Sequence, residues 1–186
     1  MILFVNACVR KESRTLRLAK KILNKFDDEI KEVQLEYIDF PVMDEEFINR
    51  REQLKSEGKY NDPIFKYALD FVKADMIVVA APYYDFSFPA MLKQYLEQIN
   101  ILGLIFSYLE TGEIKGLCKA KSLYYVTTAG GPIINDEFGF GYVKAFANVF
   151  CGIDKVYQIK AECLDIIGAD VEKILKDTDV EVEKLR

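Results

Sequence analysis

Histidine is absent from the 186 residues, and the four cysteines, Cys8, Cys118, Cys151 and Cys163, show no CxxC or comparable ligand spacing. A histidine-ligated metal, a histidine-based triad and a cysteine-built metal cluster are thereby excluded, so no metal site is expected. No apolar run approaches the length of a membrane span, and no membrane association is expected. A basic excess is also missing: the formal net charge is −5, which argues against nucleic acid as a partner. Neither the GxGxxG dinucleotide fingerprint nor the GxxxxGK[ST] phosphate loop occurs. Repeats, low-complexity tracts and interdomain linkers are lacking too. The first residues, Met1 to Asn6, run directly into a charged segment without the form of a secretory leader, so a cytoplasmic location is expected.

What is present is one domain's worth of chain, residues 1–186, half of it hydrophobic. Strands are read at 2–6, 33–38, 76–81, 122–128 and 155–161. Helices are read at 13–26, across 44–73 with a break at Asn61-Asp62-Pro63, from Pro89 to Ile99 with Ser87 as a nearby cap, at 141–150 and at 169–184. Residues 106–119 read as irregular, with turn signals at Thr111-Gly112 and Lys115-Gly116. Five strands alternating with helices specify an α/β fold with a doubly wound parallel sheet.

In such a sheet the loops after strands one, three and four leave the same edge, where open α/β folds bind ligands. The first runs Cys8-Val9-Arg10-Lys11-Glu12-Ser13-Arg14-Thr15 into a helix. Free amides, two hydroxyls and the Arg10 and Arg14 guanidinium groups there make a site for a phosphate monoester. Ser13 alone also fits an ordinary N-cap. Arg17, Lys20 and Lys21, further along, read as a solvated helix face. The second loop, Pro82-Tyr83-Tyr84-Asp85-Phe86, carries three aromatics suited to a flat ring. The third, Thr127-Thr128-Ala129-Gly130-Gly131, lets backbone approach a ligand closely. Together the three describe a site for flavin mononucleotide (FMN).

In order, these loops resemble the FMN-binding loops of the flavodoxin-fold NAD(P)H:quinone reductases, and within them the FMN-dependent azoreductases. Phe106-Ser107-Tyr108-Leu109-Glu110-Thr111-Gly112, with Gly116-Leu117, and Phe150-Cys151-Gly152-Ile153 extend the resemblance over nearly the whole chain. It implies a flavodoxin-like five-stranded sheet of order 2-1-3-4-5 and a homodimer. It further implies FMN held by Cys8, Arg10, Ser13, Arg14, Thr15, residues 82–86, Thr128, Ala129, Gly130 and Gly131. Tyr108, Phe138 and Phe150 would line the substrate pocket, with Tyr108 and Phe150 reaching over the partner subunit's flavin. The implied chemistry uses no protein nucleophile. Hydride passes from NADH or NADPH to flavin N5, and a small planar acceptor, a quinone, azo compound or nitroaromatic, then takes the nicotinamide's place.

The chain departs from that family at four positions. Cys8 stands where serine is usual and reads as a small residue that fits, the alternative being an activated, oxidisable thiol. Asp85 replaces asparagine and is expected to lower the flavin potential. Tyr83 replaces methionine, and Ala129 stands where several relatives carry arginine. Two rivals share the fold: an FMN electron carrier or redox sensor that does not use nicotinamide directly, and a receiver-type regulatory domain. The latter lacks its acidic cluster, since Asn6-Ala7-Cys8 occupies that place.

Overall fold

The computed structural model describes residues 1–184. In chain order the elements are β1 (Ile2–Asn6), α1 (Arg14–Leu23), β2 (Ile30–Gln34), α2 (Glu45–Ser56), α3 (Lys66–Lys73), β3 (Met76–Ala80) and α4 (Ala90–Ile99). There follow a short hairpin of β4 (Phe106–Tyr108) and β5 (Ile114–Gly116), then β6 (Ser122–Thr128), a helix α5 over 137–151, β7 (Lys155–Ala161) and α6 (Val171–Glu183). The main sheet is parallel with order β2-β1-β3-β6-β7. Leaving out the hairpin, this is the flavodoxin-like order 2-1-3-4-5.

The three central strands, β1, β3 and β6, are buried because they are apolar on both faces, whereas the edge strands β2 and β7 keep charged residues toward solvent. Leu3, Val5, Ile77, Val79, Leu123 and Tyr125 face one core with Phe65, Phe71, Leu92, Tyr95 and Phe146. The alternate residues Ile2, Phe4, Val78, Tyr124 and Val126 face a second core with Leu18 and Ile22 of α1 and Leu175 and Val182 of α6. Each fully buried Leu, Ile or Phe contributes about 1.5–3 kcal/mol relative to exposure.

Several expectations are corrected. The second strand is not 33–38 but Ile30–Gln34, because the ladder with β1 pairs Ile2 with Ile30 and Asn6 with Gln34. Leu35–Tyr37 then turns as a single 3-10 turn that still buries Leu35, which is why the apolar alternation runs past the strand's end. Residues 106–119 are irregular only in part: 106–108 and 114–116 pair as strands, so the turn expected at Thr111-Gly112 is present, the one expected at Lys115-Gly116 is instead part of β5, and 117–119 have no regular structure. Gly112, at φ 84°, closes the β4–β5 hairpin, whose three-residue strands are too short to show a period. Ser87 does not cap α4; its Oγ donates to the Phe138 carbonyl at 2.6 Å, and Pro89 occupies the cap position. Arg17 and Lys21 are not merely solvated. Arg17 reaches Glu172 at 3.4 Å and Asp179 at 3.5 Å, and Lys21 pairs with Asp179, tying α1 to α6. Lys20 does remain exposed.

The helix expected at 141–150 is longer. Its short α-helical centre, Tyr142–Ala145, lies between wider π-type segments, Glu137–Gly141 and Phe146–Cys151. Such segments recur at functional positions. The break near 61–63 is as expected, with Asp62 capping a turn at Pro63–Phe65 before α3.

Candidate functional site

The carboxyl ends of β1, β3, β6 and β7 open onto one cleft of about 310 Å³, within the size range of small-molecule sites. One wall is the first loop, with Val9, Arg10, Glu12, Ser13, Arg14 and Thr15. The opposite wall holds Pro82, Tyr83 and Tyr84, then Thr128, Ala129 and Gly130, and lastly Leu164 and Asp165.

The first loop is held from beneath by a closed ring of side-chain hydrogen bonds. Asn6, only 1% exposed, accepts from the Cys8 amide at 2.9 Å and donates to Gln34 Oε1 at 2.6 Å; Gln34 in turn donates to the Cys8 carbonyl at 3.0 Å. Asn6 Nδ2 also reaches Glu32 Oε1 at 2.8 Å. Both polar groups of the Cys8 peptide are thus engaged from the sheet side, so the loop beyond it is fixed without consuming its later amides. Ser13 caps α1, accepting from the Leu16 amide at 3.1 Å. Thr15 meets the Thr128 hydroxyl at 2.6 Å, joining the first loop to the third.

The second loop is pinned where the Tyr83 amide donates to the Thr128 carbonyl at 3.0 Å and the Tyr83 hydroxyl donates to the Asn135 carbonyl at 2.8 Å. Beyond it Tyr84 and Ser87 exchange two backbone hydrogen bonds, at 3.0 and 2.7 Å, around Asp85 and Phe86. These two residues have φ of 48° and 68°, the positive values at both central positions that a type I′ turn requires. Phenylalanine there is strained, and strain of this kind gathers at ligand sites.

Ten of the fourteen expected cofactor residues, Arg10, Ser13, Arg14, Thr15, Pro82, Tyr83, Tyr84, Thr128, Ala129 and Gly130, line this one cleft. Four stand outside its wall: Cys8 lies beneath the loop, Asp85 and Phe86 form the turn tip, and Gly131 follows the third loop. Phe86 is 54% exposed. The Cys8 thiol is not activated. Burial pushes it up to about 11, so at neutral pH it is a protonated thiol beneath the loop, its Sγ donating to the Ala80 carbonyl at 3.8 Å.

Tyr108, Phe138 and Phe150 lie away from the cleft wall. Tyr108 and Phe150 flank Phe106, with ring centroids 5.6 and 5.1 Å away, on the hairpin and the end of α5. Tyr108 and Phe138 are 58% and 59% exposed. The sequence reading missed the loop after β7, where Leu164 and Asp165 complete the cleft. The signal was available in the topology, since β7 lies beside β6 and its loop leaves on the same edge.

A family model described as Flavodoxin-like fold matches residues 1–185. The chain belongs to that family. Among its relatives is the FMN-dependent NADH:quinone oxidoreductase of Coprothermobacter proteolyticus, 34% identical over 196 residues, covering 99% of this chain and 96% of that protein. The FMN-dependent NADH:quinone oxidoreductase 2 of Clostridium acetobutylicum is also 34% identical, with 95% and 93% of the two chains covered. Among solved structures, an azoreductase from Bacillus anthracis superposes with a TM-score of 0.84 at 23% identity, over 98% of this chain and 96% of that one, which shows the shared fold. The resemblance read from the loops is thereby borne out at the level of the family.

Proposed function

We propose that this protein is an FMN-dependent NADH oxidoreductase that reduces quinones or azo compounds. The observation that supports this reading best is the single cleft in which the start of α1, the Tyr83-Tyr84 wall and the Thr128–Gly130 segment face one another. The relatives named above act in the same sense by their names. The donor set fits FMN. Arg10, Arg14, Ser13 and the amides at the start of α1 suit a phosphate at one end, and Tyr83 and Tyr84 suit a flat ring system at the other.

FMN supplies the two-electron exchange between nicotinamide and acceptor. The chain's own residues do the positioning. The Asn6–Gln34 ring holds the phosphate loop, the Thr15–Thr128 pair holds that loop at a set distance from the third, and the Tyr83–Asn135 bond keeps the aromatic wall from folding inward. Preorganisation of this kind removes the cost of ordering the loops on binding. A cleft that admitted donor and acceptor to one face of the bound flavin in turn would give ping-pong kinetics, and the proposal extends to NADPH as donor and nitroaromatics as acceptors. The exposed aromatic surface of Tyr108, Phe138 and the hairpin supports a homodimer in which Tyr108 and Phe150 reach the partner subunit's cofactor. No described helix is long and apolar enough to cross a membrane, and we assign the protein to the cytoplasm.

The test is a visible spectrum of the protein reconstituted with FMN, followed without oxygen as NADH and then a quinone are added. Bleaching by NADH and recovery with the quinone is the expected result. Bound flavin that ignores nicotinamide makes the protein an electron carrier or sensor, and failure to bind FMN overturns the reading.

A further inference from the structure

Across the phosphate end of the cleft, Arg14 Nη1 of the first loop lies 2.7 Å from Asp165 Oδ1, in the loop after β7, and 3.4 Å from the Leu164 carbonyl. The position of Asp165 is set by backbone: its amide donates to the Gly130 carbonyl at 2.8 Å, and Leu164 and Cys163 donate to Ala129 and Gly131 at 3.2 and 3.0 Å. Its other carboxylate oxygen rests against Gly130, in the space a Cβ would take. A negative group is therefore built into the seam between the glycine loop and the cationic loop, within a cleft whose other charged liners are Arg10 and Glu12.

We infer that Asp165 sets the cofactor's affinity through its phosphate, by competing with that phosphate for the Arg14 guanidinium. The inference rests on the FMN reading above. A guanidinium fork can serve a carboxylate or a phosphate, and the dianionic phosphate is the stronger partner. The Arg14–Asp165 pair is half exposed, with side chains 40% and 66% accessible, so its own strength is small and the phosphate displaces it. What the pair costs is affinity for a ligand that carries a phosphate; a ligand without one does not contest Arg14. Asp165 thus acts as a specificity-determining residue.

The test compares FMN with riboflavin, which differs only by lacking the phosphate, using quenching of flavin fluorescence on binding. Asp165→Asn is expected to tighten FMN about two- to fivefold and to leave riboflavin unchanged, the fold-change following from the strength of an exposed pair. In an Arg14→Ala background the same substitution is expected to change neither flavin, because the contested group is gone. A merely structural role for Asp165 would move both flavins together. Equal changes in the two flavins, weaker FMN binding, or an unaltered FMN-to-riboflavin ratio overturns the inference alone. Wild-type protein that binds neither flavin overturns the FMN reading and this inference with it.

Discussion

The hydroxyls of Thr15 and Thr128 meet at 2.6 Å, and through them the first turn of α1 is bonded to the carboxyl end of β6. The two residues are 113 positions apart in the chain, yet this contact holds the loop after β1 and the glycine loop in one cleft. Thr15 is fully buried, so replacing either threonine by valine leaves a hydroxyl without its partner. Each substitution is expected to cost about 1–3 kcal/mol, and the double variant less than the sum. Urea unfolding of the two single variants and the double variant checks this, and an FMN titration of the same proteins is expected to show weaker binding in all three.

Cys8 makes a prediction about alkali. Its folded-state value is raised to about 11 by burial, from an ordinary value of 9.0. A thiol whose value is raised on folding contributes stability that is complete below the unfolded value and is lost as pH rises toward the folded one. The protein is therefore expected to lose about 2–3 kcal/mol of stability from this group between pH 9 and 11. Cys8→Ala removes that component, so the difference in stability between wild type and variant should narrow across this window. Denaturant midpoints at pH 8, 9.5 and 11 measure it, and iodoacetamide at pH 8 should spare Cys8 in the folded protein.

Two glycines with crowded surroundings should respond differently to alanine. A Cβ on Gly116 would collide with the Gly152 nitrogen and the Cys151 carbonyl group, both backbone, so β5 must move away from the end of α5. The expected loss is about 1–3 kcal/mol or more. A Cβ on Gly130 would meet the Asp165 side chain, whose carboxylate can rotate aside while its Cβ, at 3.2 Å, must give by a few tenths of an ångström. Gly130→Ala should therefore cost less than about 1 kcal/mol. Thermal unfolding of the two variants compares them directly.

The turn at Asp85 and Phe86 separates stability from cofactor chemistry. Phe86→Gly relieves a left-handed position and is expected to stabilise the fold by about 1 kcal/mol, read by thermal unfolding. On the FMN reading proposed above, Asp85→Asn would remove a carboxylate that disfavours negative charge on the reduced flavin. The variant's flavin potential is expected to rise by on the order of 20–60 mV. A redox titration of the FMN-loaded proteins that shows no difference would remove the idea.

The sequence by itself determined the doubly wound sheet, because unbroken apolar strands such as Ile77-Val78-Val79 are stable only when helices cover both faces, and the intervening segments carry helical periodicity. It also placed the loops after the first, third and fourth strands together, since parallel strands release their following loops at one edge, but it did not include the loop after β7. Local chemistry was legible where neighbours in sequence decide it, as in the Ser13 cap and the break before Pro63. The tertiary structure alone decided where the second strand ends, because its register is set by hydrogen bonds to β1 and not by its own alternation. Cys8 could be read as an activated thiol or as a filler until its burial was known; depth beneath the loop, and the desolvation that follows, made it the latter. Arg14 and Asp165 lie 151 positions apart, and no local pattern pairs them. Their contact exists because β7 packs beside β6, which brings the last loop of the sheet over Gly130 and against the first.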